Sequence, residues 1–156
     1  WYCLKLRKII VIRKFSILDI DRIMQLWLDA NLDVHYFINK SYWLNHYEMV
    51  KQMILDADIY VYEINYKVLG FIGIVDNYIA GIFVDKTYRC QNVGHQLINY
   101  IKKDHKYLIL SVYQKNQKAV NFYIKEKFKI IKEHIDLDTN EVELVMEYNH
   151  KRIESK

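Results

Sequence analysis

The sequence predicts a mixed α/β fold of about seven strands and four helices around one core. Three observations lead to this prediction. Seven short segments are β-branched or continuously apolar, and four others repeat apolar residues at helical spacing. A chain of 156 residues, 52% hydrophobic and 27% charged, suits one compact domain. We expect that domain over residues 9–150, with irregular N-terminal residues at 1–8 and a polar tail at 151–156.

The first half of the chain moves from helical to strand-like patterns. Residues 8–15 are β-branched and predict a strand, and residues 19–31 and 41–56 predict helices. The second helix is expected to bury one face, formed by Leu44, Tyr47, Val50, Met53 and Ile54. Strand-like segments, joined by short polar turns, then predict an antiparallel meander over residues 58–64, 68–75 and 78–84.

The second half alternates helices with strands. Residues 94–104 predict a helix, and the continuous apolar run at 107–113 predicts a strand buried on both faces. Residues 116–127 predict a further helix capped by Asn116, and residues 128–137 and 141–149 predict a closing hairpin.

Composition excludes several classes of protein. Two cysteines, Cys3 and Cys90, cannot form a disulfide framework or a zinc cluster, so we expect no metal. Apolar stretches fall well below the roughly 18 residues that a membrane span needs, so we expect a cytoplasmic protein without a membrane partner. The net charge of +4 suits small anionic ligands, and we expect no nucleic-acid partner.

The most specific segment, YRCQNVGHQL at residues 88–97, joins a predicted strand to a predicted helix. Such a junction directs backbone N–H groups and the positive end of the helix dipole at one point, which favours phosphate binding. Arg89 adds positive charge, and left-handed turns are predicted at Asn92 and Gly94. Taken alone, the loop is equally consistent with a plain turn that places Gly94 near the helix cap.

Two motifs in this order resemble the GNAT superfamily of N-acetyltransferases. Arg89-x-x-Asn92-x-Gly94 resembles its pyrophosphate loop, Gln/Arg-x-x-Gly-x-Gly/Ala, and NQKAVNFYIKEKF at 116–128 resembles its Asn-x-x-Ala-x-x-Phe-Tyr-x-x-x-Gly-Phe signature. The chain departs from the motifs twice, with Asn92 and Lys127 at glycine positions. VYQKNQ at 112–117, together with Trp27 and His35, is similar to the small bacterial YiaC/YjaB-type branch.

The resemblance implies direct transfer of an acetyl group from acetyl-CoA to a primary amine, which is a protein lysine, a protein N-terminus or a small amine. It also implies that the central parallel strands, 78–85 and 107–113, splay apart to hold this cosubstrate. The residues expected to bind it are Ile82, Phe83, Val84, Arg89, Cys90, Gln91, Asn92, Val93, Gly94, His95, Asn116 and Tyr123. A non-catalytic module that keeps the CoA slot as a sensor or a protein-binding scaffold is the alternative, and monomer or homodimer stays open.

Tyr123 is the expected catalytic acid, because the superfamily uses a tyrosine at this motif position. A phenol with a pKa of about 10 stays protonated at pH 7 and can protonate the leaving thiolate. A plain core aromatic is the alternative interpretation. No general base is identified: His35, Glu63, Asp76 and an ordered water are candidates, and His35 has the best claim.

The acceptor pocket is expected from an aromatic cluster, because aromatic side chains exclude water and stack on a substrate. Its predicted members are Trp27, Phe37, Tyr42 and Tyr78. Packing of the two N-terminal helices on the sheet explains most of the same residues.

Overall fold

The computed structural model describes residues 7–155 and shows one seven-stranded sheet with helices on both faces. The strands are β1 (Ile10–Lys14), β2 (Asp58–Ile64), β3 (Lys67–Val75), β4 (Tyr78–Val84), β5 (Tyr107–Tyr113), β6 (Lys129–Asp136) and β7 (Glu141–Asn149). The helices are α1 (Ile20–Val34), α2 (Lys40–Asp56), α3 (Val93–Lys102), α4 (Gln117–Lys125) and α5 (His150–Glu154). Short 3₁₀ turns at Ile17–Asp19 and Lys86–Tyr88 precede α1 and follow β4.

The sheet has the order β1-β2-β3-β4-β5-β7-β6, which confirms the predicted meander and closing hairpin. Its centre is the parallel pair β4 and β5, and this ladder holds two residue pairs, Tyr78 with Ile109 and Ile79 with Leu110. Beyond Ile79 the two strands part. At this point β4 has a β-bulge against β3. Gly73 pairs with Gly81 and Ile74 pairs with Ile79, so Ala80 has no partner in the β3–β4 ladder.

Two hydrophobic cores lie on opposite faces of the sheet. One core packs α3 and α4 against residues such as Leu108, Leu110 and Met146. The other packs α1 and α2 against residues such as Val61 and Phe71. The cleft between β4 and β5 therefore has a helix pair on each side, and residues of both pairs can reach it.

The structure differs from the predicted elements in two places. A fifth helix, α5, occupies most of the expected polar tail, and the Asn149 side chain caps it by accepting a hydrogen bond from the Lys151 N–H. The predicted inner face of α2 was wrong in part, since Leu44 and Met53 are 48% and 58% exposed. The larger indole of Trp43 is buried there instead, against Trp27 of α1.

No helix within residues 7–155 combines the length and the apolar character needed to cross a membrane. Cys3 lies outside the described residues, and Cys90 is exposed with a free thiol.

Candidate active site

The outer half of β4 forms one wall of the cleft. Ile82 and Val84 pack towards the core of α3 and α4, whereas Phe83 stacks on Phe71 on the other face at 5.1 Å. A Cβ atom at Gly81 would lie 2.5 Å from the Phe83 ring, so a side chain there would displace that ring. Beyond Ile79 this edge of β4 faces the cleft without a strand partner in β5, so its backbone groups are free for an extended, peptide-like ligand.

The loop between β4 and α3 closes the cleft with two left-handed residues, Cys90 (φ 62°) and Asn92 (φ 65°). The prediction for Asn92 is therefore confirmed, and the one for Gly94 was wrong. Gly94 lies inside α3, where a Cβ atom would come 3.1 Å from Phe122 of α4, so a close helix approach explains this glycine. The Asn92 side chain does not cap α3, which leaves the N–H groups of its first turn available.

The polar side chains of the loop already have partners within the protein. The Arg89 guanidinium pairs with Asp33 of α1 at 2.5 Å and also donates to the Val84 carbonyl oxygen. Its hydrogen bond holds the pKa of Asp33 below the ordinary value. The Gln91 amide donates to the Thr87 carbonyl oxygen. What the loop offers to an anion is therefore its backbone N–H groups at Val93 and the residues that follow.

His95 stands at the same end of α3, and its Nδ1 lies 2.6 Å from a carboxylate oxygen of Glu126. This contact ties the first turn of α3 to the C-terminal end of α4. Lys102 approaches the same carboxylate at 3.8 Å and donates to the Glu126 carbonyl oxygen. The predicted cofactor residue His95 thus helps fix α3 against α4.

Tyr123 projects from α4 into the core, and its ring packs against Phe122 and Phe128 at 5.2 and 5.5 Å. Burial, and to a lesser degree nearby Tyr78, raises the pKa of the phenol above its ordinary value, so Tyr123 is protonated at pH 7. Within residues 7–155 burial and Tyr78 account for this shift, and no hydrogen bond to the hydroxyl contributes to it. A protonated phenol is the form that a general acid requires.

The aromatic residues predicted for the acceptor pocket separate into two groups. Phe37 and Tyr42 lie on the α1–α2 side beside Tyr113 at the end of β5, and the Phe37 and Tyr113 rings are 5.7 Å apart. Trp27 is buried behind them in the core, 7% exposed. Tyr78 is exposed at the start of β4, where β4 pairs with β5. Tyr113 is the last residue of β5 and therefore lies at the opposite edge of the sheet.

Sequence reasoning missed an acidic group beside these rings. The Tyr113 hydroxyl donates to Asp136 of β6 at 2.8 Å. Burial and the charge of Asp136 raise the pKa of Glu143. Burial also opposes ionisation of Asp136, but hydrogen bonds from Tyr113 and the Asp138 N–H outweigh it and leave the pKa of Asp136 lowered. No local pattern marks these residues, because the sheet order brings β6 and β7 to this side of β5.

The candidate bases differ in their surroundings. Glu63 forms an ion pair with Arg13 at 2.8 Å, two strands away from β4, and Asp76 is exposed in the β3–β4 turn. His35 lies between Asn31 and Asn116, which contact Nδ1 at 2.9 Å and Nε2 at 3.2 Å. Burial lowers the pKa of His35 to about 4, which leaves the imidazole neutral at pH 7 but a weak proton acceptor.

Within residues 7–155 no group of three or more His, Cys, Asp or Glu side chains is placed to hold a metal ion. The geometry thus offers a split strand pair and a loop of free N–H groups after β4, while the Tyr123 phenol is buried in the core beside α3 and α4.

Comparisons with known proteins give this arrangement a family. Residues 56–130 match the model of the acetyltransferase (GNAT) domain. Peptidyl-lysine N-acetyltransferase YiaC from Escherichia coli is 34% identical over 78% of this chain and 84% of its own length. Peptidyl-lysine N-acetyltransferase YjaB from Salmonella typhimurium is 24% identical over 70% of this chain and 77% of its own.

Solved structures show the same fold. The solution structure of apo YjaB from Escherichia coli superposes with a TM-score of 0.80 at 23% identity, over 90% of this chain and 97% of that one. YncA from Salmonella typhimurium, solved with its cofactor acetyl-CoA, superposes with a TM-score of 0.63 at 14% identity, over 91% and 94%. The chain therefore belongs to the GNAT family of N-acetyltransferases, in the branch of YiaC and YjaB.

Proposed function

We propose that this N-acetyltransferase uses acetyl-CoA to acetylate the side-chain amine of lysine in proteins or peptides. The observation that carries the proposal is the parting of β4 and β5 beyond Ile79. This split exposes a strand edge that suits the amide-containing pantetheine arm, and it leads to the N-terminal turn of α3, which suits the diphosphate.

The reaction that these groups support is direct transfer. The neutral lysine amine attacks the thioester carbonyl carbon, so that a C–N bond forms and the C–S bond breaks. A backbone N–H of β4 stabilises negative charge on the carbonyl oxygen. The Tyr123 phenol gives its proton to the departing thiolate, the amine releases its own proton to solvent, and solvent returns a proton to the Tyr123 phenolate. Positioning and proton donation supply the catalysis, with no covalent enzyme intermediate.

The choice of lysine rests on two supports. YiaC, the relative at 34% identity, is a peptidyl-lysine N-acetyltransferase. In this chain the acceptor side combines the rings of Phe37, Tyr42 and Tyr113 with the carboxylates of Asp136 and Glu143. Aromatic faces and negative charge together favour a long cationic side chain over a neutral or anionic acceptor.

A panel of amines tests the proposal. Acetyl-CoA consumption is measured with a lysine-containing peptide blocked at its N-terminus, the same peptide with a free N-terminus and norleucine in place of lysine, and a free polyamine. We expect transfer to the first peptide, with mass spectrometry placing the acetyl group on the lysine side chain. Transfer confined to the free N-terminus or to the polyamine would overturn the lysine assignment.

A further inference from the structure

A continuous chain of hydrogen bonds joins the end of α1 to the start of α4. The Asn31 amide donates to the Trp27 carbonyl oxygen at 2.9 Å, and its Oδ1 lies 2.9 Å from His35 Nδ1. His35 Nε2 lies 3.2 Å from the Asn116 amide nitrogen. The Asn116 Oδ1 then accepts a hydrogen bond from the Ala119 N–H at 3.3 Å. The chain thus runs from a backbone carbonyl to a backbone N–H.

These two backbone ends fix the direction of every bond between them. The Trp27 carbonyl can only accept, so Asn31 turns its amide nitrogen to Trp27 and its oxygen to His35. His35 must therefore carry its proton on Nδ1, and its Nε2 accepts from Asn116. This leaves the Asn116 oxygen free to cap α4 at Ala119.

The surroundings of the ring favour the neutral form. Trp43 of α2 stacks on the imidazole at 5.3 Å, and Phe37 and Tyr113 meet it edge-on at 5.7 and 5.2 Å. Tyr113 is the titratable side chain that faces the ring from β5, and the Lys115 ammonium lies on Phe37. An imidazolium would turn an Nε2 proton towards the Asn116 amide protons. Protonation would therefore require Asn116 to rotate and release the Ala119 N–H.

We propose that His35 is a positioning residue for acetyl transfer, acting as a neutral Nδ1–H imidazole that holds Asn116 and thereby the start of α4. Tyr123 follows Asn116 by seven residues, about two helical turns, so that a shift at the cap moves the phenol. The same ring fixes the α1–α2 connection, which carries Phe37 on the acceptor side. The proposal rests on the proposed function, because Tyr123 is there the proton donor.

Two substitutions separate positioning from proton abstraction. In His35→Gln, the amide oxygen can replace Nε2 as the acceptor for Asn116 but cannot take up a proton at any working pH. We expect kcat/KM to fall at least tenfold in His35→Ala, since a displacement of about 1 Å costs up to a hundredfold, and to recover to within about threefold of wild type in His35→Gln. His105→Gln, just beyond the end of α3, is the matched control. A folded His35→Gln variant as inactive as His35→Ala, or a fully active His35→Ala, would overturn the proposal.

NMR tests the chain without any turnover. Long-range ¹H–¹⁵N spectra of the wild-type protein are expected to show the Nδ1–H tautomer of His35 at pH 7. Asn116→Asp keeps an N-cap oxygen for Ala119 but places a carboxylate beside Nε2, so the titration midpoint of His35 should rise by at least one pH unit. An Nε2–H tautomer, or an unmoved midpoint, contradicts the proposal. A wild-type protein that shows the Nδ1–H tautomer but transfers no acetyl group instead overturns the proposed function.

Discussion

The Phe128 N–H donates to the Tyr123 carbonyl oxygen at 3.0 Å, and the rings of these two residues lie 5.5 Å apart. The Lys127 N–H donates to the Ile124 carbonyl oxygen at 3.1 Å. Together these bonds form a Schellman motif that ends α4 one turn after the proposed acid. The residue just before Phe128 in this motif adopts the left-handed conformation, which favours glycine. In this chain that residue is Lys127, with φ 71°.

Replacing Lys127 by glycine is expected to stabilise the protein by about 1 kcal/mol, because a non-glycine residue in this conformation costs roughly 1–2 kcal/mol. The change also removes a nearby positive charge. The pKa of Lys102 is lowered mainly by burial and to a smaller degree by this charge. Urea unfolding gives the free-energy change. Lys125→Gly, at a helical position of the same helix, is expected to destabilise instead. Equal losses in both variants would contradict the Schellman explanation.

Gly94 leads to a prediction about cofactor affinity. An alanine Cβ at this position would press on the Phe122 ring and move the first turn of α3 away from α4. We expect Gly94→Ala to raise the dissociation constant of acetyl-CoA about tenfold, since overpacking costs roughly 1–3 kcal/mol. Calorimetry measures the constant, and adding Phe122→Leu should restore affinity. Unchanged binding in Gly94→Ala would show that the close approach does not position the loop.

Local patterns predicted the parts of the site that depend on a few neighbouring residues. Asn92 adopts the left-handed turn expected of asparagine, and Asn116 caps α4 as its position before the helix indicates. Both conformations follow from hydrogen bonds or sterics within a few residues. The strands were predictable for the same reason, because each one is marked by its own run of β-branched or continuously apolar residues.

Other features required the tertiary structure. The contact of His35 with Asn116 spans 81 residues, and the bond between Tyr113 and Asp136 depends on β7 lying between β5 and β6. The sequence marked His35 as a candidate base but carried no sign of the burial that lowers its pKa. The sequence predicted a left-handed turn at Gly94. The structural reason for this glycine is instead its close approach to Phe122, which belongs to another helix.

The buried His35 predicts a loss of stability in acid. Its pKa falls from the ordinary 6.5 to about 4, so the unfolded chain binds the proton more tightly. The stabilisation is complete above pH 6.5 and is lost as the pH falls towards 4, by roughly 2–3 kcal/mol at about pH 4.5. The protein also loses stability in acid when carboxylates with lowered pKa values are protonated, among them Asp19 and Asp85. The measurement is therefore the wild-type unfolding free energy at about pH 7.5 and pH 4.5 minus that of His35→Gln. Equal losses in the two proteins would exclude His35 as the source.

Asp136→Asn tests the acidic acceptor side. The amide can still accept the Tyr113 hydrogen bond but no longer attracts an ammonium group. We expect the KM for a lysine peptide to rise about fivefold to tenfold and that for acetyl-CoA to stay unchanged, with the difference shrinking at high salt. Glu133→Gln removes the same charge and serves as the control. The strand partner of Glu133 is Leu144, which belongs to the core of α3 and α4 on the opposite face of the sheet. Similar effects in both variants would indicate a general charge effect.

Single-turnover transfer from acetyl-CoA to a blocked lysine peptide, compared between the wild type and Tyr123→Phe, tests the central claim most directly. The account predicts acetyl-lysine formation by the wild type and a rate at least about a hundredfold lower in Tyr123→Phe, with acetyl-CoA binding preserved because the ring still packs on Phe128. An undiminished rate in the variant, or acetyl-CoA that binds the wild type but is transferred to no amine, would contradict it.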